Sequence, residues 1–362
     1  MRDLSRLYNE HFGLSERPFS LLPDPDFLYW APPHRKAYTM LEYGIAAHSP
    51  ITMITGEIGS GKTTLVRKLL DDMPQDFSVG LISNAQGDRG ELLHWVLMSL
   101  DLPVEPGLSY VQLFKQFQTF LIDEYAAGRR TALIFDEAQN LSPLALEELR
   151  MFSNINADKD QLLQLILMGQ PELRDLVRQP ILQQFAQRIA AEFHLRALTA
   201  EEADEYILHR LRHAGADREI IDPEARHLIH LAGRGIPRLI NQLCDYALVY
   251  AFSEDRPLAD AALVREVLED RRQSGVFAAV TGGGAEAALG LPHPAQGWSA
   301  PAPGPAGGGW DRPAPAHGGR DAPGHASGHA SGGEPTSSSG PSSQDGAQGD
   351  PNMFHGVWDR NG

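Results

Sequence analysis

Gly56-Glu57-Ile58-Gly59-Ser60-Gly61-Lys62-Thr63 lies between an apolar run, Ile51-Thr52-Met53-Ile54-Thr55, and a helical pattern from Thr64 to Leu70. Strand, glycine-rich turn and helix are the setting in which G-x-x-x-x-G-K-[ST] makes a phosphate-binding loop. Glycines let the backbone curl until successive N–H groups point at phosphate oxygens, and the following helix adds its positive end. In such a loop, spanning Gly56 to Thr64, Lys62 reaches the β- and γ-phosphates and the Thr63 hydroxyl ligates Mg²⁺. The stretch predicts that the chain binds a nucleoside triphosphate.

A second landmark follows about seventy residues later. Thr131-Ala132-Leu133-Ile134-Phe135 is a short apolar run of the kind buried on both faces of a parallel sheet, and it ends in Asp136-Glu137. Downstream of a phosphate loop, paired carboxylates at a strand end suit two tasks. Asp136 is expected in the Mg²⁺ shell, and Glu137 to orient and polarise an attacking water. An apolar run ending in an acid is common by itself; coupled to the loop it predicts hydrolysis of ATP.

Composition sets the outer bounds. With 42% hydrophobic residues the chain of 362 can bury a core, and a formal net charge of -16 disfavours non-specific nucleic-acid binding. One cysteine, Cys244, excludes an intramolecular disulfide or a multi-cysteine metal site, and its apolar helical setting predicts a small buried side chain. Neither a charged-then-apolar leader nor an apolar stretch of about eighteen residues is found, so a soluble, cytoplasmic protein is expected.

Four regions are read along the chain. Residues 1–33, rich in aromatics and prolines, predict an irregular arm packed on the nucleotide domain, because so many rings are costly to leave in water. Residues 34–197 alternate strands with helices, an α/β pattern. His34 opens a helix and is read either as part of a base pocket or as a surface or capping histidine. Helices are predicted over 91–100, 108–125 and 143–152, and in the second of these Val111, Phe114, Phe117 and Leu121 are assigned to the core. Further strands are predicted over 77–83 and 162–168 and toward Leu195. The second ends at Gly169-Gln170-Pro171, where turn residues and a polar functional residue look alike. From Thr199-Ala200-Glu201-Glu202, a capping box, residues 198–271 read as helices only. Residues 272–362 hold most of the excess glycine and proline and predict a disordered tail. Four of its histidines (His293, His317, His325, His329) are too loosely spaced for a metal site, and its end, Met353 to Trp358, is either a partner-docking cluster or a plain hydrophobic terminus.

Several motifs together resemble one family. They are Pro23-Asp24-Pro25 with Phe27-Leu28, the phosphate loop through Thr64, Asp136-Glu137-Ala138-Gln139-Asn140-Leu141, Gly169-Gln170-Pro171-Glu172-Leu173, Gln187-Arg188-Ile189 and Gly235-Ile236-Pro237-Arg238-Leu239-Ile240-Asn241. In this order, over roughly residues 8 to 270, the chain is similar to the AAA ATPases typified by general secretion pathway protein A, a group that includes relatives encoded with exosortase and exopolysaccharide systems.

The resemblance implies a P-loop NTPase of AAA+ type, with a parallel sheet flanked by helices and a small all-helical lid after it. It implies that Gln170 senses the γ-phosphate, that Arg238 is the lid arginine touching phosphates, and that Arg188 reaches a neighbouring subunit's γ-phosphate, with Arg174 and Arg178 competing for that role. A homo-oligomer is implied, assembling or regulating an envelope secretion or polysaccharide-export machine, peripherally at the inner membrane. Members with a transmembrane helix and a periplasmic domain after the lid differ from this chain, which favours the exopolysaccharide-associated branch. Relatives that select targets for transposases supply the alternative, a DNA-transaction ATPase; a nucleotide-gated scaffold with little turnover is a third.

Overall fold

The computed structural model describes residues 4–83, 91–157 and 160–273. The expected disordered tail, its histidines and the Met353–Trp358 cluster lie outside the described residues.

The chain opens with α1 (Leu4–Phe12), a proline-punctuated stretch and α2 (Pro32–Ala46). The α/β half then runs β1 (Ile51–Gly56), α3 (Lys62–Asp72), β2 (Phe77–Ser83), α4 (Glu91–Ser99), α5 (Tyr110–Ala126), β3 (Arg130–Asp136) and α6 (Pro143–Phe152). A two-residue pair follows, β4 (Asn156–Ala157) with β5 (Asp160–Gln161), and then β6 (Leu163–Gly169), α7 (Glu172–Val177), α8 (Gln183–Ala186) and β7 (Ile189–Leu195). Four helices complete it: α9 (Ala200–His213), α10 (Pro223–Gly233), α11 (Pro237–Ser253) and α12 (Ala261–Gln273).

Five strands make one parallel sheet in the order β2-β3-β6-β1-β7. β1, β3 and β6 are buried along nearly their whole length, which explains their unbroken apolar sequences: helices cover both faces. Because all strands are parallel, the loops after β1, β3 and β6 open on the same edge, where ligands bind in open α/β sheets. On one face β-strand residues pack with α4, α5 and α6; on the other, Leu65, Val66 and Leu69 of α3 meet Ala37 and Leu41 of α2.

Two packing expectations are corrected. Val111 is 72% exposed, and the buried line of α5 is Leu113, Phe117, Leu121 and Glu124. Phe117 and Leu121 fit both readings, but the stripe follows i, i+4 steps from Leu113 and leaves Phe114 at its margin. The arm is divided between the two halves: Leu28 and Trp30 pack with the α2–α3 cluster of the α/β half as expected, but most of its rings go elsewhere. It begins as helix α1, and Tyr8, Phe12, Leu14, Phe19 and Phe27 enter the core of the four-helix half, among Leu211, Ile240, Cys244 and Leu248. The rings need an apolar host; the sheet is already covered by α2 and α3, whereas the small helical half has an open face.

Candidate functional site

β1 ends at Gly56, and the chain turns through Gly59 (φ 80°) and Gly61 (φ 101°) into α3. Both glycines occupy left-handed backbone that a side chain would strain, so the loop needs glycine at these positions. Lys62 curls back and its Nζ donates to the carbonyls of Gly56 at 2.6 Å and Glu57 at 3.0 Å. Burial pulls the Lys62 ammonium below its ordinary pKa, opposed by the charges of Glu137 and Asp136. Ser60 is buried and its hydroxyl has no partner among the described residues.

His34 is neither a surface nor a capping residue. It is 5% exposed and lies beneath the loop, its Nε2 donating to the Ser60 carbonyl at 2.8 Å. That bond places the proton on Nε2 of the neutral ring. Burial keeps the ring's pKa low despite the bond to Ser60.

β3 carries the carboxylates to the loop. The Thr63 hydroxyl donates to Asp136 Oδ2 at 2.9 Å, and Asp136 Oδ1 accepts the Glu137 backbone N–H at 3.0 Å. Burial pushes the Asp136 carboxyl above its ordinary range, while these two bonds oppose it. A hydroxyl and a carboxylate oxygen side by side are the hard-oxygen donor set that Mg²⁺ takes, so the residues present fit that ion. Glu137 stands in left-handed backbone, φ 56° and ψ 40°. Burial raises its carboxyl, but amide bonds from Gln170 and Gln139, with Lys62 nearby, outweigh it and leave it below the usual range.

Gln170, at the end of β6, donates from Nε2 to Glu137 Oε2 at 3.0 Å. Arg238, in the first turn of α11, places its backbone N–H on the Gly59 carbonyl at 3.1 Å and its exposed side chain beside the loop. The helical half is thereby fastened to the phosphate loop itself. Arg188 lies away from this cluster: it donates to the Ser153 carbonyl at 3.1 Å and to Asn154 Oδ1, holding the end of α6. Arg174 pairs with Glu192 at 3.3 Å, and Arg178 faces Asp175 at 3.8 Å.

One pocket brings Gly59, Gly61, Lys62, Thr63, Thr64, Glu137 and Arg238 together with arm residues Leu21, Leu22 and Phe27. Its far wall holds a buried polar group that the sequence reading did not find. Arg210, 7% exposed, donates to the Pro18 carbonyl at 2.6 Å and the Tyr206 hydroxyl at 3.2 Å; Tyr206 in turn donates to Asn241 at 2.8 Å. An arginine among helix-face residues gives no sequence signal of its burial. Gln139 was also passed over, although it sits inside the Asp136–Leu141 motif.

Residues 46–177 match the family model described as AAA domain. The chain is 40% identical over 247 residues to "General secretion pathway protein A" of Aeromonas hydrophila, a match that covers 68% of this chain and 45% of that protein. The chain thus spans less than half the length of that curated relative. Among solved structures, Cdc6p from Pyrobaculum aerophilum superposes with a TM-score of 0.54 at 17% identity, covering 69% of this chain and 71% of the other. The Aeropyrum pernix ORC2 protein gives 0.50 at 19% identity, with 66% and 67% covered. At such identities these two show the fold alone.

Proposed function

Given that the chain belongs to the AAA family typified by general secretion pathway protein A, we propose that it binds ATP and hydrolyses it to ADP and phosphate. The observation that carries this is the meeting of Lys62, Thr63 and Glu137 in one pocket, with Asp136 bonded to Thr63 behind it, beside a loop with left-handed glycines.

In this reading the loop N–H groups and Lys62 hold the β- and γ-phosphates, with Lys62 leaving the Gly56 and Glu57 carbonyls to do so. Thr63 and Asp136 would hold Mg²⁺, which when bound offsets charge on the phosphate oxygens. Glu137 accepts a proton from the attacking water. Gln170, bonded to Glu137, and Arg238, bonded to Gly59, report the state of the γ-phosphate to the sheet end and the lid. Arg188 acts in trans on a neighbouring copy after leaving its place on Ser153.

Glu137→Gln should keep ATP affinity while phosphate release falls about a hundredfold or more. Lys62→Ala should lose ATP binding in equilibrium titration. Normal phosphate release from Glu137→Gln overturns the base. For Arg188, mixing Arg188→Ala with Lys62→Ala protein should restore turnover in mixed oligomers; no recovery removes it from the trans role.

The output is assigned to assembly or regulation of an envelope secretion or exopolysaccharide-export system. The support is the likeness to a protein named for the general secretion pathway, over 68% of this chain. None of the described helices is long and apolar enough to cross a membrane. Pull-down with tagged Glu137→Gln protein, held in its ATP-bound state, should recover export or secretin components; recovery of a transposase instead would move the output to DNA.

A further inference from the structure

Gln139 has no part in the steps above, yet both ends of its side-chain amide are committed. Its Oε1 accepts the backbone N–H of Gln170 at 3.0 Å, and its Nε2 donates to Glu137 Oε2 at 2.7 Å. A backbone N–H can only donate and a carboxylate only accept, so the amide has one orientation here. Gln170 donates to the same carboxylate oxygen at 3.0 Å. Oε2 of Glu137 therefore carries two amide donors, and neither of them reaches Oε1.

The backbone makes that control necessary. Glu137 sits in left-handed conformation (φ 56°), directly after the end of β3. A glutamate on such a turn has three rotatable side-chain bonds and little main-chain context to hold it. Gln139, two residues on in a single turn of 3-10 helix (Ala138–Asn140), reaches back to it and across to β6 at once. It ties the ends of two neighbouring strands through one side chain.

We propose that Gln139 is a positioning residue for ATP hydrolysis: it holds Glu137 through Oε2 and so presents Oε1 to the attacking water. This rests on the reading of Glu137 as the water-activating base. In the step so served, the water oxygen bonds to the γ-phosphorus and its proton passes to Glu137 Oε1. The bond from that phosphorus to the β–γ bridging oxygen breaks, and its electron pair leaves with ADP.

Two substitutions separate positioning from mere support. Gln139→Glu keeps an oxygen for the Gln170 N–H but replaces the donor to Glu137 with an acceptor; Gln139→Leu removes both bonds. Turnover, ATP affinity and affinity for ADP with tetrafluoroaluminate are measured in each, with Glu137→Gln as reference. Both variants should bind ATP within about twofold of the parent and lose turnover by at least about tenfold. Affinity for ADP–tetrafluoroaluminate, which mimics the state with water in line, should fall alongside turnover. A supporting role alone would spare Gln139→Glu. Parental turnover in that variant, or a turnover loss matched by an equal loss of ATP affinity, overturns the proposal. If Glu137→Gln is inactive while Gln139→Glu is normal, only the positioning falls; if Glu137→Gln turns over normally, the base assignment falls and takes this inference with it.

Discussion

The α/β half and the helical half meet at the nucleotide pocket but are held together by bonds of different reach. In the first, the loop after β1 bonds largely to itself: Lys62 to Gly56 and Glu57, Ser60 N–H to the Glu57 carbonyl at 3.1 Å. In the second, the bonds span almost the whole described chain. Ser15 N–H donates to the Ala214 carbonyl at 2.8 Å, His11 to the Arg256 carbonyl at 2.9 Å, and Tyr8 to Asp245 at 3.0 Å. A phosphate site can be written in a short motif because neighbouring residues make it. A helical lid too small to bury its own face must borrow a covering from elsewhere, and the N-terminal arm supplies it.

The sharpest way to break this comparison is to remove a borrowed ring. Phe19 is fully buried in the helical half's core. Phe19→Ala is expected to cost about 3–5 kcal/mol in denaturant unfolding. If it costs less than about 1 kcal/mol, the arm is not part of that core. Next in size is the join between the halves. A Cβ on Gly59 would lie 2.4 Å from Arg238 Cβ, in backbone of φ 80°. Gly59→Ala should cost about 1–3 kcal/mol and weaken ATP binding, as read by calorimetry and titration. Unchanged affinity would show the lid contact to be independent of the nucleotide.

His34 sharpens the comparison by pH. Burial holds its folded-state pKa below the unfolded value of about 6.5, so the folded protein binds fewer protons there than the unfolded chain. Its contribution is present above that pH and is lost as pH falls below it. His34→Gln keeps a donor for the Ser60 carbonyl, and its stability should fall less steeply on acidification; an equal slope would mean that His34 is not the group responsible. The smallest effect is expected at Val111, where Val111→Ser should change stability by no more than about 0.5 kcal/mol. A larger loss would restore Val111 to the core stripe.

The α/β half was legible because its site is built locally. Gly59 and Gly61 answer to backbone geometry, Lys62 and Thr63 to the loop they sit on, and Asp136-Glu137 to the end of a buried strand. The rest needed contacts that no spacing encodes. Residues 1–33 announce by their rings that they must be buried, but not against what. His34 gave no sign that it would lie under Ser60, nor Arg210 that it would be walled in by Pro18 and Tyr206.

What the amino-acid sequence settled by itself was the phosphate loop, the strand that ends in two carboxylates and the α/β order between them, since each follows from backbone rules acting over a few residues. Tertiary structure alone decided where the arm went, which line of α5 was buried, and that Gln139 and Gln170 would share one oxygen of Glu137. Those outcomes depend on which surfaces remain uncovered once the sheet has formed, and side chains distant in sequence compete for them.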